Sequence, residues 1–306
     1  MKARLLACLL LGFPTVASAE WQPQRMPWGD PDLQGIWTNA TLTTLMRPDE
    51  FENLVLDERE TVILEKYGLF GEEQQKEYEE LPEGDLEAGQ NVGGYNVAWM
   101  DPGTKVLRVN GEARSSIIVD PEDGKIPYNL WGRGRFYWHG YKWMTRHDNP
   151  EERPLGERCV VGFGSTGGPP MLPVLYNNHY QFVQTPDEVL ILVEMNHNVR
   201  TIRLDGKPLP KAVKPWLGDS VGRWDGDTLV VNTTQFHPQQ NLRAAIKHQL
   251  YMTEDSVVEE RFTRVNEHEI LYQFTVTDDS IYKQPWRGEL MLRSAEALIP
   301  YLQEQV

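Results

Sequence analysis

Very short turns divide the second half of the chain, and this feature constrains the fold more than any other. Breaks such as Thr185-Pro186-Asp187 and Asn266-Glu267 separate segments with the apolar and β-branched composition of strands. Strands joined by turns this short must run antiparallel. The predicted strands of this half cover residues 180–184, 188–195, 199–204, 228–233, 256–265, 269–276 and 288–292.

The pattern within these segments indicates a closed or layered sheet. Apolar and polar residues alternate along residues 258–265, which places one face inward and the other in water. Seven or more such strands in one domain favour a barrel or a sandwich, and the lack of a fixed repeat disfavours a propeller. We therefore predict a mostly β fold, an antiparallel β-barrel, formed by a single domain over residues 20–306.

Two regions before the barrel strands have a different character. Residues 20–35 are rich in Pro, Gly and Trp and predict an extended N-terminal arm. Residues 54–80 predict a small helical insertion, in which Asp57 and Glu60 form a capping box at the start of the first helix.

The first residues have the pattern of an export signal. Lys2 and Arg4 precede an apolar run over residues 5–13, and Ala17-Ser18-Ala19 supplies a small-x-small cleavage site. We expect a signal peptide over residues 1–19, cut after Ala19, and a periplasmic or secreted mature protein. Cleavage leaves Cys159 as the one cysteine, so no intramolecular disulfide is expected.

The charge and the hydropathy pattern limit the partners. The formal charge is −15, and loss of Lys2 and Arg4 with the signal makes it −17. A charge of this sign argues against nucleic acid and anionic membranes as partners. No apolar run approaches the ~20 residues of a membrane span, so membrane insertion is not expected. The sequence leaves the oligomeric state open.

Several motifs resemble those of a large group of exported bacterial β-rich proteins. The longest runs from Gly218 to Val231 and includes Gly218-Asp219-Ser220, Gly222-Arg223-Trp224 and Gly226-Asp227-Thr228-Leu229. Gln184-Thr185-Pro186 followed by Glu194, His197 and Arg200 is similar to the same group. Separately, Gly35-Ile36-Trp37 resembles the Gly-x-Trp opening of lipocalin-like barrels, which implies a lipocalin-like (calycin-like) form of the predicted fold.

The strongest candidate for chemistry is the cluster of Glu194, His197 and Arg200. It follows the apolar residues 189–193, so it lies at a strand end, where a barrel admits its ligand. We expect His197 to be the acid–base group, oriented by Glu194, with Arg200 stabilising negative charge. Tyr180 or Tyr128 would be a second proton donor. A solvated hairpin end with a salt bridge is the alternative.

A wider set of tyrosine, asparagine and loop residues predicts substrate binding. Asp219 and Ser220 lie in a glycine-bounded loop, where they bind a substrate hydroxyl or cap a turn. Together with ten tryptophans, the set suits an aromatic-walled pocket for a sugar ring or a polycyclic, terpenoid or phenolic molecule. The predicted substrate-binding residues are Tyr95, Asn96, Asn129, Asn177, Asn178, Asp219, Ser220 and Trp224.

The sequence contains no metal-ligand spacing, no phosphate-binding loop and no nucleophile elbow. We therefore expect neither a metal nor an organic cofactor. The leading hypothesis is an acid–base enzyme, a lyase, isomerase or cyclase, acting on a small organic or carbohydrate substrate. The alternative is a non-catalytic periplasmic binding protein for an apolar or aromatic ligand. A structural or partner-binding protein is a third class that fits the charged helical insertion.

The export hypothesis predicts the N-terminus of the mature protein. Mass spectrometry of the protein recovered outside the cytoplasm should give a chain that begins at Glu20. Changing Ala17 and Ala19 to Gln should prevent cleavage, because signal peptidase requires small residues there. An exported chain that retains residues 1–19 would contradict the prediction.

Overall fold

The computed structural model describes residues 21–79, 100–204 and 206–295. The helices are α1 (Glu58–Tyr67), α2 (Glu72–Glu79) and α3 (Leu130–Thr145). The strands, in chain order, are β1 (Gly35–Thr38), β2 (Arg108–Val109), β3 (Glu112–Ala113), β4 (Ile118–Asp120), β5 (His179–Gln184), β6 (Glu188–Val193), β7 (Val199–Leu204), β8 (Asp219–Asp225), β9 (Thr228–Thr234), β10 (Leu242–Ala245), β11 (His248–Tyr251), β12 (Val257–Asn266), β13 (Glu269–Thr277) and β14 (Trp286–Ser294).

Nine of these strands form a closed barrel, which confirms the predicted mostly β barrel fold. Their order around the barrel is β1-β5-β6-β7-β8-β9-β12-β13-β14, and β14 returns to β1. Trp37 pairs with Ser294 at this closure, and Thr38 pairs with Arg293. The opposite end of β14 pairs with β4. The hairpins β2–β3 and β10–β11 form separate two-stranded sheets.

One junction of the barrel departs from the predicted antiparallel arrangement. β7 and β8 run parallel, with Ile202 opposite Ser220. The short turns predicted from the sequence do force antiparallel pairs, and Gly226 and Asp227 make such a turn between β8 and β9. Between β7 and β8, however, the connection covers residues 205–218. A connection of this length can bring the chain back to the end of the barrel where β7 begins, so that β8 runs in the same direction as β7.

The interior of the barrel is filled by side chains. Alternate residues of β13 are buried, as the period of a strand requires. Aromatic rings from three strands pack against one another, with ring centroids 4.9 Å apart for Phe262 and Tyr272 and 5.6 Å apart for Phe274 and Trp286. The barrel therefore has a packed core along these strands.

A buried ion pair crosses this core. Arg200 on β7 donates through Nη1 and Nη2 to both carboxylate oxygens of Glu260 on β12, at 3.0 and 2.6 Å. Tyr272 donates to Glu260 Oε1 at 2.7 Å, and Ser220 contacts Arg200 Nη2 at 3.4 Å. Both charged side chains are almost completely excluded from water. The bidentate contact offsets much of their desolvation.

The helices α1 and α2 lie in the predicted insertion. The capping box at the start of α1 is confirmed, because Asp57 accepts from the Glu60 amide and Glu60 accepts from the Asp57 amide. In the described part of the chain, no helix has the length and apolar character needed to cross a bilayer.

Helix α3 was not predicted from the sequence. Asn129 caps its N-terminus by accepting from the Gly132 amide at 2.8 Å, and it also donates to the Ser280 carbonyl at 3.1 Å. A Cβ atom on Gly132 would lie 2.1 Å from the carbonyl oxygen of Ile281, so only glycine permits this close approach. The start of α3 is thereby fixed to the β13–β14 connection.

The ion pair predicts a specific pattern of stability changes. Glu260→Gln leaves the Arg200 charge uncompensated in the core and should lower the free energy of unfolding by about 3–5 kcal/mol. The double variant Arg200→Met/Glu260→Leu should lose less than Glu260→Gln alone. Urea denaturation measures both, with Glu259→Gln on the outward face of β12 as the control. A Glu260→Gln protein within ~1 kcal/mol of the wild type would contradict this interpretation.

Candidate functional site

The structure does not bring the three predicted catalytic residues into one site. Glu194 and His197 are exposed at the β6–β7 turn, whereas Arg200 is buried and paired with Glu260. Glu194 Oε2 instead contacts Nδ1 of His179 at 2.9 Å. This is the solvated hairpin end with a salt bridge, the alternative interpretation. The catalytic roles of these residues remain predictions.

The hydroxyls of the two predicted tyrosine donors are hydrogen-bonded to backbone groups. Tyr180 is in the barrel core, where its hydroxyl donates to the Thr166 carbonyl at 3.0 Å. The Tyr128 hydroxyl accepts from the Tyr251 amide at 2.7 Å. Burial raises the pKa of Tyr128 and of Tyr180. Both therefore stay protonated near neutral pH.

Two of the predicted asparagines have structural hydrogen-bond partners. Asn129 caps α3. Asn178 is buried, accepts from the Val174 amide at 2.9 Å and donates to the Asp101 carbonyl at 2.8 Å. Asn177 is half-buried in a left-handed conformation, with φ at 55°. Tyr95 and Asn96 lie outside the described residues.

Asp219, Ser220 and Trp224 lie on β8, so the prediction of a loop at Asp219 and Ser220 was wrong. Asp219 Oδ1 is 2.8 Å from Nη2 of Arg203, and Oδ2 accepts from the Leu209 amide at 2.7 Å. This matches the turn-stabilising alternative for Asp219, which braces the connection between β7 and β8. Ser220 is buried and its hydroxyl contacts that of Thr233 at 2.8 Å. Trp224 is half-buried against the core.

A groove of about 350 Å³ passes the β7–β8 junction and includes Arg200, Asp219 and Ser220 in its lining. Its charges are internally compensated, because Arg200 pairs with Glu260 and Arg203 pairs with Asp219. A ligand would have to compete with these pairs. The groove therefore has no uncompensated charge that would favour ligand binding.

A different pocket, of about 320 Å³, lies between α3, residues 151–164 and β10; we name it the α3–β10 pocket. His139 and Trp143 contribute from α3, Phe163 from the connection to β5, and Arg243 from β10. Its walls combine aromatic rings with cations, as small-molecule sites commonly do. None of these residues was predicted from the sequence to be functional.

Arg243 is the fully buried cation in the lining of this pocket, and it pairs with no carboxylate among the described residues. Its side chain is buried, Nη1 donates to Ser165 Oγ at 3.2 Å and to the Pro169 carbonyl, and the guanidinium stacks 5.1 Å from the Phe236 ring. Nε and Nη2 are buried without a hydrogen-bond partner among the described residues. Burial lowers the pKa of Arg243 to about 10, so the group is still charged at pH 7.

The other charges of the α3–β10 pocket add to a local positive potential. Lys142, Arg146, Arg153, Arg158 and Arg243 face three glutamates in its lining, so five cations outnumber three anions. Two of the glutamates are already paired, Glu152 with Arg146 and Glu157 with Arg153. The pocket is thus basic in a protein whose net charge is −15.

His139 is the titratable group on the α3 side of this pocket. Its ring lies 5.0 Å from that of Tyr251 on β11. Burial, with the nearby cations Lys142 and Arg135, lowers the pKa of His139. The imidazole is therefore neutral near pH 7 and can accept a proton.

The wall formed by residues 151–164 is fixed at two points. Arg153 forms a bidentate pair with Glu157, with both N–O distances at 2.8 Å, and Nη1 also donates to the Trp143 carbonyl. Further along, the Ser165 amide donates to Nε2 of His248 at 3.1 Å. A Cβ on Gly164 would lie 2.6 Å from that nitrogen, so the contact requires glycine.

The described residues contain no group of three or more His, Cys, Asp or Glu side chains arranged to hold a metal ion. Comparisons of the chain with protein-family models, curated proteins and solved structures found no match. The resemblance of the Gly218–Val231 motif to an exported bacterial group thus stays a prediction.

His248 predicts a pH dependence of stability. Its Nδ1 lies 3.1 Å from the Pro173 carbonyl, Nε2 accepts from Ser165, and burial lowers its pKa to about 3. The unfolded-state value is about 6.5. Stability should be complete above about pH 6.5 and should fall toward pH 3 by about 1.4 kcal/mol per unit, because only the unfolded chain binds the proton.

The measurement compares urea denaturation between pH 7 and pH 4 for the wild type and His248→Gln. The wild type should show the steeper decline, and the exposed-site variant His268→Gln should follow the wild type. Imidazole ¹⁵N shifts give a direct readout, since His248 should remain neutral at pH 4. Protonation of its ring near pH 6 in the folded protein would contradict the prediction.

Proposed function

We propose that the protein is exported and binds a small organic anion in the α3–β10 pocket. The observation that carries this proposal is Arg243, a buried cation with two unmet N–H donors in the pocket lining. A buried charge is costly unless it is paired and hydrogen-bonded. A ligand carboxylate supplies both the missing charge and two acceptor atoms in the geometry that a guanidinium prefers.

The walls of the pocket indicate the body of the ligand. Trp143, Phe163 and His139 offer ring surfaces, and Leu242 adds an aliphatic one. Aromatic and apolar surfaces favour a planar or hydrophobic ligand body, while the few polar groups set its orientation. The proposed ligand is therefore an aromatic or apolar carboxylic acid. This narrows the binding-protein hypothesis from any apolar ligand to an acidic one.

The local charge adds specificity. Lys142 and Arg158 line the pocket without a carboxylate partner among the described residues. The net charge of −15 repels anions in general, whereas the cations of the pocket attract them locally. A neutral analogue of the same shape should leave Arg243 unpaired and bind more weakly.

Calorimetry with cinnamate and cinnamamide tests this proposal, because the two probes differ in charge but little in shape. The wild type should bind cinnamate more tightly than cinnamamide. Arg243→Met should weaken cinnamate binding by about 30-fold or more, since loss of one partner of a buried charge pair costs roughly 2–5 kcal/mol. Lys142→Met should weaken it less, because that side chain is only partly buried.

Arg223→Met is the matched control, because Arg223 is exposed on β8 and does not line the pocket. It should bind cinnamate like the wild type. Equal binding of acid and amide, or unchanged cinnamate affinity in a folded Arg243→Met protein, would sink the proposal. Benzoate and phenyl phosphate in the same assay show how the affinity depends on the size of the ligand and on the nature of its anionic group.

A second candidate function is acid–base catalysis in the same pocket. The observation that favours it is His139, whose neutral imidazole shares the pocket lining with Arg243. Arg243 would hold the carboxylate and stabilise charge that develops on it, while His139 accepts a proton from the adjacent carbon. This arrangement keeps the predicted lyase or isomerase chemistry but moves it from the β6–β7 turn to the α3–β10 pocket.

NMR can test this candidate through deuterium incorporation at the carbon next to the carboxylate of phenylacetate in D₂O. The wild type should catalyse the exchange, and His139→Gln should reduce its rate by about 10²-fold or more, the usual contribution of a positioned base. His268→Gln is the control. Loss of exchange in His197→Ala, with His139→Gln unaffected, would assign catalysis to the β6–β7 turn instead.

A further inference from the structure

The outward side of α3 is uncharged and strongly exposed. At about 100° per residue, an arc of roughly 140° contains only uncharged positions. We name the large side chains of this arc the outer face of α3. Leu130, Trp131 and Met144 are 89, 75 and 69 % exposed, and each remaining member is at least 49 % exposed. The outer face consists of Leu130, Trp131, Tyr137, Trp138, Tyr141 and Met144.

Cations border this face on both sides. Arg133 lies at one edge of the arc, and Arg135, Lys142 and Arg146 lie at the other, by the same helical spacing. No acidic residue occurs between Leu130 and Thr145. Arg133 and Arg135 are exposed, and neither forms an ion pair with any described residue. In a chain of charge −15, this is a local reversal of sign.

The helix is held so that this face remains outward. At its start, Asn129 and Gly132 fix it to the β13–β14 connection. At its end, Arg153 donates to the carbonyls of Trp143 and Arg146 at 2.6 and 3.1 Å. Its inner side, with His139 and Trp143, closes the α3–β10 pocket. The outer face therefore cannot be buried by a simple rotation of α3, which would break the contacts at both ends.

We infer that the outer face of α3 docks on an anionic phospholipid surface. A contiguous apolar patch on a soluble protein marks an interaction site. Tryptophan and tyrosine favour the headgroup level of a bilayer, where the ring is apolar and its polar atom stays hydrated. An interfacial helix combines such a face with flanking Lys and Arg, which attract anionic headgroups. α3 has each of these features and lies on the surface without spanning it.

A second copy of the chain fits the face less well. Two copies joined by a two-fold axis through α3 would present the same patch to each other. Their outer faces could pack, but Arg133, Arg135 and Lys142 of both copies would then border one interface without a facing carboxylate on the helix. A lipid surface of negative charge removes that repulsion. The local charge of α3 thus favours an anionic surface, although the net charge of the chain argues against one.

Vesicle sedimentation of the purified protein tests the docking. The wild type should sediment with phosphatidylglycerol/phosphatidylethanolamine vesicles and much less with phosphatidylcholine vesicles. Trp131→Ser/Tyr141→Ser and Arg133→Glu/Arg135→Glu should each weaken binding by about tenfold or more. Raising the salt from 0.05 to 0.5 M should weaken wild-type binding, because it screens the cations.

Matched controls come from exposed residues on other elements. Tyr67→Ser removes an exposed tyrosine of α1, and Lys207→Glu/Lys211→Glu reverses two exposed lysines of the β7–β8 connection. Tyr67→Ser should sediment like the wild type, and the lysine variant should lose less than Arg133→Glu/Arg135→Glu. The free energy of unfolding should be unchanged in the α3 variants, since their side chains lie in solvent. Cinnamate affinity, measured separately, reports on the pocket and is independent of this result.

Three outcomes would overturn the inference. The first is a wild type that does not sediment with the anionic vesicles. The second is vesicle binding that the α3 variants retain. The third is a wild-type dimer in analytical ultracentrifugation that Trp131→Ser/Tyr141→Ser dissociates, with no vesicle binding, which would assign the face to a second copy.

Discussion

The ion pair between Arg200 and Glu260 is the constraint on which the rest of the structure depends. Water does not reach either group, so the two charges must stay in contact, and this joins β7 to β12 across the barrel interior. Tyrosines of the barrel interior also bind the backbone of the segment that precedes β5. Tyr272 accepts from the Met171 amide, and Tyr180 donates to the Thr166 carbonyl. The segment that approaches the α3–β10 pocket is thus attached directly to the interior of the barrel.

The part of the fold set by local rules was predictable. Two-residue turns force antiparallel hairpins, alternation gives the buried face, and Asp57 with Glu60 marks a helix start. The parallel β7–β8 pair was not predictable, because a long connection permits either direction. Helix α3 was also missed. Three glycines lower its helix propensity, and it forms because Gly132 allows close contact with Ile281, a residue remote in sequence.

The candidate site was harder to predict than the fold. Glu194, His197 and Arg200 are close in sequence, but strand geometry sends Arg200 into the core while the other two remain at an exposed turn. The α3–β10 pocket combines three separate segments, and none of them contains a sequence motif that indicates a binding site. An arginine such as Arg243 becomes informative only when its burial and its missing counter-charge are known. The net charge likewise gave no indication of the basic α3–β10 pocket, because it sums the charges of the whole chain.

The closure of the barrel has a consequence for the order of folding. β1 and β14 pair with each other, although they lie near opposite ends of the described chain. The two strands cannot pair until β14 has been synthesised, and contacts between residues so far apart in sequence are slow to form. The export that we propose requires the chain to cross a membrane before it folds, and this arrangement gives it time to do so. An early segment cannot complete the barrel by itself. The polypeptide therefore remains incompletely folded, and able to cross a membrane, until its last strand is made.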